Sequence, residues 1–163
     1  DAYRYLLSKN MVPLIERISA NFGFSPKYIG TFLGHTFKHV EGKKKTHKNF
    51  SYEKIYGLFG FISKKKLLPP IAKVMLPVIY DHPDMEFGSV LTSIGYKKHS
   101  MNELIAPVDF LLGKFRQIRH NETEKAAVDW MMGQIHNQAL GNIELPLLKE
   151  QIEEKIKKEN NKL

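Results

Sequence analysis

From Asn10 onward the apolar residues return every three or four positions, and nowhere do they alternate in twos for long enough to build a strand. That period dictates helices. Val12, Leu14, Ile15, Ile18 and Phe22 share one helical face, and Gly23 offers a left-handed stop, so a helix is expected near 11–22. Ser25-Pro26 reads as a cap with proline in the first turn. Ile29, Phe32, Leu33, Thr36, Phe37 and Val40 carry that helix from 26 to about 41, closed by Gly42. Ser51 caps a third stripe of Ile55, Leu58, Phe59 and Ile62. Pro69-Pro70 opens another helix to about Tyr80, which Pro77 should kink or shorten. Asp81-His82-Pro83 predicts a turn into a short helix near 84–93, ended by Gly95. The expectation is an all-α chain of about eight helices.

The second half is marked by its caps. Ser100-Met101-Asn102-Glu103 has the spacing of a capping box, in which serine and glutamate satisfy two free amides of a helix start. Pro107 interrupts the helical pattern after that box, so the long helix to Arg119 is expected to begin near 106. Asn121-Glu122-Thr123-Glu124 resembles a helix entry, and Ala126 to Leu140 continue that helix to Gly141. Pro146 starts the last one, with Leu147, Leu148, Ile152 and Ile156 inside and an expected frayed end over 158–163. The chain is thus expected to hold two regions: a helical domain over 1–99 and a small three-helix domain over 100–163.

Charge narrows the partners. The chain of 163 residues has a formal net charge of +8, and residues 1–120 hold 19 Lys+Arg against 9 Asp+Glu. Eleven lysines fall between 27 and 73, opposed only by Glu41 and Glu53. They gather as Lys43, Lys44, Lys45, Lys48 and again as Lys64, Lys65, Lys66. Phosphate is the natural counter-charge, and lysines that meet phosphates release counterions, which makes binding salt-sensitive. The segment 43–50 is too charged to pack and is expected to be an exposed connection. Two runs parted by one short helix suggest a shared basic face.

Other chemistries are poorly served. With no cysteine there are no disulfides, thiolate zinc sites, iron–sulfur clusters or cysteine nucleophiles. His35 and His39 have the i, i+4 spacing of two helical metal ligands but lack a third in the pattern, and His47, His82, His99, His120 and His136 are single. Asp81, Asp84 and Glu86 read as caps and dipole partners. Gly57 and Gly60 fall inside a helix and read as packing glycines, while phosphate-loop spacings and a nucleophile elbow are absent from the sequence. Phe32, Phe37, Phe59 and Phe61 read as core. Tyr28, Tyr52, Tyr56 and Tyr96 lie among lysines, as a base-stacking surface would need, or simply reach solvent with their hydroxyls. The apolar runs are far shorter than the roughly 20 residues that span a bilayer. With no leader pattern ahead of them, no membrane contact and a cytoplasmic location are expected. The opening on Asp1, straight into an amphipathic pattern, suggests a piece of something longer.

The stretch Trp130-Met131-Met132-Gly133-Gln134-Ile135, followed by Gly141 and Pro146-Leu147-Leu148, resembles the end of the B and E subunits of Glu-tRNA(Gln) amidotransferase, the YqeY-like tail. Ser25-Pro26-Lys27 with its helix, and Phe50-Ser51-Tyr52 through Leu67-Leu68, look like the helical domain that precedes that tail. The segment from Ile29 to Gly42 is closer to the E subunit. The resemblance implies a non-catalytic tRNA-binding region that positions mischarged Glu-tRNA(Gln) for conversion to Gln-tRNA(Gln). It places ATP, magnesium and the ligase chemistry in an N-terminal domain of the parent, with no cofactor in this chain and ammonia from a partner subunit. Gly133 and Gln134, with neighbouring His136 and Asn137, become candidate tRNA contacts in the tail, and Lys114, Arg116 and Arg119 at its junction. Where family members have Asn-Pro this chain has Leu145-Pro146, and residues 121–163 are net acidic, so the lysines of 43–66 are expected to carry more of the load. No DNA partner is expected. The rival reading is a helical protein-interaction module with a basic surface and no RNA role.

Overall fold

The computed structural model describes residues 1–119 and 123–162, and every regular element among them is helical. The chain divides into two compact units, Asp1–Tyr96 and Lys97–Leu163. His120, Asn121, Glu122 and Leu163, which enter the sequence expectations, lie outside the described residues.

The first unit opens with α1, Ala2–Ser8, where the sequence pattern predicted no helix. The Asp1 side chain caps it by accepting from the Tyr3 amide at 2.9 Å. None of its residues is fully buried; Ala2, Tyr5 and Leu6 are half-buried on one side of this short helix. Asn10, at φ 52°, turns the chain into α2, Val12–Phe22, and Gly23 at φ 76° ends that helix, its amide donating to the Ser19 carbonyl at 3.0 Å. Ser25 caps α3, Pro26–Thr31, through its hydroxyl. The helix then widens to a π-helical segment, Phe32–Phe37, and returns to α form as α4, Lys38–Lys43. Nothing in the sequence pattern marked that change of pitch, a feature that recurs where a helix meets an unusual packing demand.

Ser51 precedes α5, Tyr52–Lys64, with the extended backbone of a cap, but its side chain makes no capping bond. A 3₁₀ turn, Pro69–Ile71, leads into α6, Ala72–Asp81. Pro77 lies inside α6 and does not end it; the lost amide simply leaves the Lys73 carbonyl, on an exposed residue, without its helical donor. The last helix here is α7, Phe87–Ser93, followed by Gly95 at φ 77°. Ile18, Ile29, Phe32, Leu33, Phe37, Leu58, Phe59 and Tyr80 fill the interior, Phe32 meeting Phe59 edge-on at 5.1 Å.

In the second unit, the expected stretch 100–119 is two helices: α8, Met101–Ile105, and α9, Val108–Ile118, divided at Pro107. The Ser100 hydroxyl accepts from the Glu103 amide at 3.2 Å and donates to the Glu103 carboxylate at 3.2 Å. His99 approaches the same carboxylate at 3.3 Å, and together they hold the Glu103 pKa below the usual carboxylate range. Thr123 caps α10, Glu124–Ala139, by accepting from the Ala126 amide. The final helix, α11, Leu145–Asn161, starts with Pro146 in its first turn and runs well into the stretch expected to fray. Three long helices therefore carry this unit, with α8 as a fourth short one. Leu104, Val108, Leu112, Phe115, Val128, Met131, Ile135, Leu148, Ile152 and Ile156 make its core, and the Lys155 ammonium donates to the Ile105 carbonyl at 2.9 Å.

Glycine decides how closely the elements of the first unit meet. A Cβ on Gly34 would lie 2.9 Å from the Ala2 Cβ, one on Gly60 2.9 Å from the Phe22 ring, and one on Gly57 3.0 Å from the Phe87 ring. Gly42, by contrast, faces open space. We expect Gly34→Ala to destabilise the protein by about 1–3 kcal/mol by forcing α1 outward. Gly42→Ala should be neutral or stabilising by up to about 1 kcal/mol. Urea unfolding of the two variants beside the parent checks both signs.

Candidate nucleic-acid interface

The lysine loop is better anchored than its composition predicts. Lys44 gives its ammonium to the Asp81 carboxylate. The Thr46 hydroxyl bonds the Tyr80 phenol at 2.7 Å, and the Asn49 side-chain amide donates to Asp84 at 2.9 Å. The Phe50 ring stacks on Phe37 at 5.8 Å and meets Tyr80 at 4.7 Å. An exposed connection was expected, and most of the segment is exposed; Lys44, Thr46, Asn49 and Phe50 also tie it to the end of α6 and the turn beyond. Asp81 and Asp84, expected as caps and dipole partners, are the acceptors for this loop. Lys43, Lys45 and Lys48 remain exposed and, among the described residues, free of carboxylate partners, whereas Lys44 is committed.

The second run closes α5. Lys64 ends the helix, Lys65 is its cap, and Lys66 takes the left-handed conformation at φ 55° where glycine is usual. The Leu67 amide reaches back to the Ile62 carbonyl at 3.0 Å, completing the helix end. All three lysines are exposed. Because α5 has 13 residues, about 20 Å of helix at 1.5 Å per residue, the second run lies at the far end of α5 from the segment that carries the first.

In the second unit the expected residues divide by availability. Arg116 donates to the Asn160 side chain on α11 at 2.5 Å and is engaged within the fold. Lys114 is exposed with its ammonium 4.7 Å from the centre of the Phe110 ring, and Arg119 is exposed beyond the end of α9. On α10, Gly133, Gln134 and Asn137 are exposed, while His136 is half-buried with Nδ1 3.5 Å from the Asn137 side-chain oxygen. A Cβ on Gly133 would meet nothing.

Tyr28, Tyr52 and Tyr56 do not offer a stacking surface. Tyr56 lies beneath the Arg17 guanidinium at 4.2 Å, against the Phe22 ring, and its hydroxyl accepts from Asn21. The same guanidinium grips Glu53 at 2.6 Å and lowers its pKa. Tyr52 meets Phe37 edge-on, and burial raises the Tyr28 phenol pKa. Phe32, Phe37 and Phe59 are core as expected, and Phe61 packs on Phe87. Among the described residues two aromatic rings face solvent, Tyr3 at 70 % and Phe110 at 65 %, and Phe110 drew no attention in the sequence. Its position between the inward Val108 and Leu112 was the available signal.

His35 and His39 line an open groove of about 530 Å³ with Lys38, Lys43 and the start of α1. Among the described residues no group of three or more His, Asp or Glu side chains could hold a metal ion. Compared with family models, with curated proteins and with solved structures, the chain finds no match.

The Thr46–Tyr80 bond tests how firmly the loop is held, since the Tyr80 side chain is only 1 % exposed. Thr46→Val should cost about 1 kcal/mol, Tyr80→Phe a similar amount, and the double variant clearly less than both together. Urea unfolding of the cycle, with amide exchange over 44–50, gives the readout.

Proposed function

We propose that this chain is a non-catalytic tRNA-binding region, and that within a larger amidotransferase it positions mischarged Glu-tRNA(Gln) for ATP-dependent conversion to Gln-tRNA(Gln). The observation that carries the RNA part is the pair of exposed lysine groups at the two ends of α5, Lys43, Lys45 and Lys48 at one and Lys64, Lys65 and Lys66 at the other. A small phosphorylated ligand needs cations that converge on one point. Groups set toward the two ends of a helix about 20 Å long suit a folded RNA, which presents several backbone segments to one surface and is read largely through shape and phosphate. The tRNA part rests on the resemblance of the residues around Gly133, Gln134, Gly141 and Pro146 to the amidotransferase tail. In that reading the ATP, magnesium and ammonia chemistry belongs to other parts of the assembly, and a cytoplasmic setting follows from the process.

The loop geometry refines the contact set. Lys44 answers Asp81 and Arg116 answers Asn160, so each would have to give up a partner before meeting phosphate. The expected contributors are therefore the six exposed lysines at the ends of α5, with Lys114 and Arg119 from the second unit.

The test is an anisotropy titration of the protein with uncharged tRNA(Gln), a non-cognate tRNA and duplex DNA at several salt concentrations. The expected result is tightest binding to tRNA(Gln). Reversing Lys64, Lys65 and Lys66 to glutamate should weaken it at least tenfold and flatten the log–log salt slope by about 2, since each phosphate contact contributes roughly 0.7–0.9. Unchanged affinity and slope would remove that run from the interface, and equal binding to all three nucleic acids would leave only a basic surface.

A further inference from the structure

The outward face of α9 differs in kind from the lysine groups. Gly113, Lys114, Gln117 and Ile118 stand three, four, seven and eight positions after Phe110 and so share one side of the helix with it. Phe110 is 65 % exposed and Ile118 66 %, while the core is filled from the opposite side by Val108, Leu112 and Phe115. The two exposed apolar residues stand about 12 Å apart along the axis, with polar residues between them, so they do not make the continuous patch that a protein groove requires. What the face offers is one open aromatic ring with an ammonium 4.7 Å from its centre.

Gly113 adds a second observation. In the first unit, Gly34, Gly57 and Gly60 admit a neighbour at about 3 Å from the position of the missing Cβ, whereas Gly42 and Gly88 meet nothing. Gly113 is helical and exposed, and a Cβ there would meet nothing in the chain. A helical glycine costs about 1 kcal/mol against alanine, a cost that no packing within this unit offsets. A bare backbone beside an exposed ring and a cation leaves room for something outside the chain, although Gly42, Gly88 and Gly133 are equally open. Charge identifies its chemistry: over α9 and its cap, Lys114, Arg116 and Arg119 oppose only Asp109, and Arg116 is already engaged.

We propose that this face of α9 is a base-stacking site for RNA, in which an unpaired base lies on the Phe110 ring, the adjoining phosphate meets Lys114, and Gly113 leaves room for the sugar–phosphate backbone. The site rests on the RNA-binding reading of the chain and extends it from phosphate contact to base contact. Stacking on an aromatic side chain tolerates any base, because every base has a π-face, so the site selects unpaired RNA over duplex rather than one sequence over another.

The experiment compares the parent chain with Phe110→Ala, Phe110→Trp and Gly113→Ala, each titrated with uncharged tRNA and with a blunt RNA duplex of similar length. Circular dichroism and urea unfolding establish that each variant is folded. Phe110→Ala should weaken tRNA binding about tenfold, leave the salt slope unchanged and leave duplex binding unchanged, while Phe110→Trp keeps the affinity. Gly113→Ala should raise stability and yet lower tRNA affinity. If the parent binds tRNA but Phe110→Ala binds within twofold of it, the stacking site is wrong and the RNA-binding reading stands. If the parent binds neither RNA, both fall. If the parent self-associates and Phe110→Ala abolishes that without changing tRNA affinity, the face is a protein contact and the stacking site is overturned.

Discussion

The Phe22 ring comes within 2.9 Å of the place a Cβ would occupy on Gly60, and α2 and α5 can lie that close only because the atom is missing. The first unit repeats this device where α1 crosses the π-helical segment at Gly34 and where Phe87 of α7 reaches α5 at Gly57. Each contact trades helix propensity for a shorter distance between elements. The trade has a consequence for the aromatic interior. With the helices drawn together, Phe24, Phe32 and Phe59 meet edge-to-ring at 5.1 to 5.2 Å, and Phe37 gathers Phe50, Tyr52 and Tyr80 around it. The lysine loop is fastened to that second group through Phe50, so the packing of glycines deep in the unit reaches its basic surface in a few steps.

What could be read from the sequence was local. Gly23, Gly95 and Gly141 all take positive φ, Ser25, Ser100 and Thr123 cap with their side chains, and Pro107 marks a helix boundary, because each effect acts over a turn or less. The apolar stripes named most of the core for the same reason, since 3.6-residue spacing is a property of one helix, but Val12 and Leu147, expected on the inner faces, are exposed because each lies in the first turn of its helix, at the rim of the packed face. Three features escaped. The first helix, α1, spans only 7 residues and buries none of them fully, so its pattern is too brief to mark a helix; the π-helical segment keeps its apolar residues on nearly the α-helical schedule; and Pro77 costs one bond at an exposed turn that the rest of α6 outweighs.

The candidate interface was legible in part, and the division is again physical. Exposed lysine runs announce themselves, and Lys43, Lys45, Lys48 and Lys64 to Lys66 are exposed as a composition argument requires. Whether a given lysine is free depends on partners far away in sequence. Asp81 is 37 residues from Lys44 and Asn160 is 44 from Arg116, separations at which no periodicity speaks. The charge balance also shifts once the units are known. Asp1–Tyr96 holds 14 Lys+Arg against 7 Asp+Glu, and the remainder of the chain holds 11 against 10, so the strong positive field belongs to the first unit alone. In the second, individual placement must do what net charge cannot.

The anchoring of residues 44–50 changes what kind of binding event this loop can support. A flexible polybasic strand must be ordered as it meets its partner and loses chain entropy in doing so. Here Asp81, Tyr80 and Asp84 have already imposed one shape, so the free lysines are presented from a fixed frame. Association through them would couple to no folding and would bury little new apolar surface from this loop. Its calorimetric signature is accordingly a small heat-capacity change, with counterion release rather than chain ordering dominating the entropy.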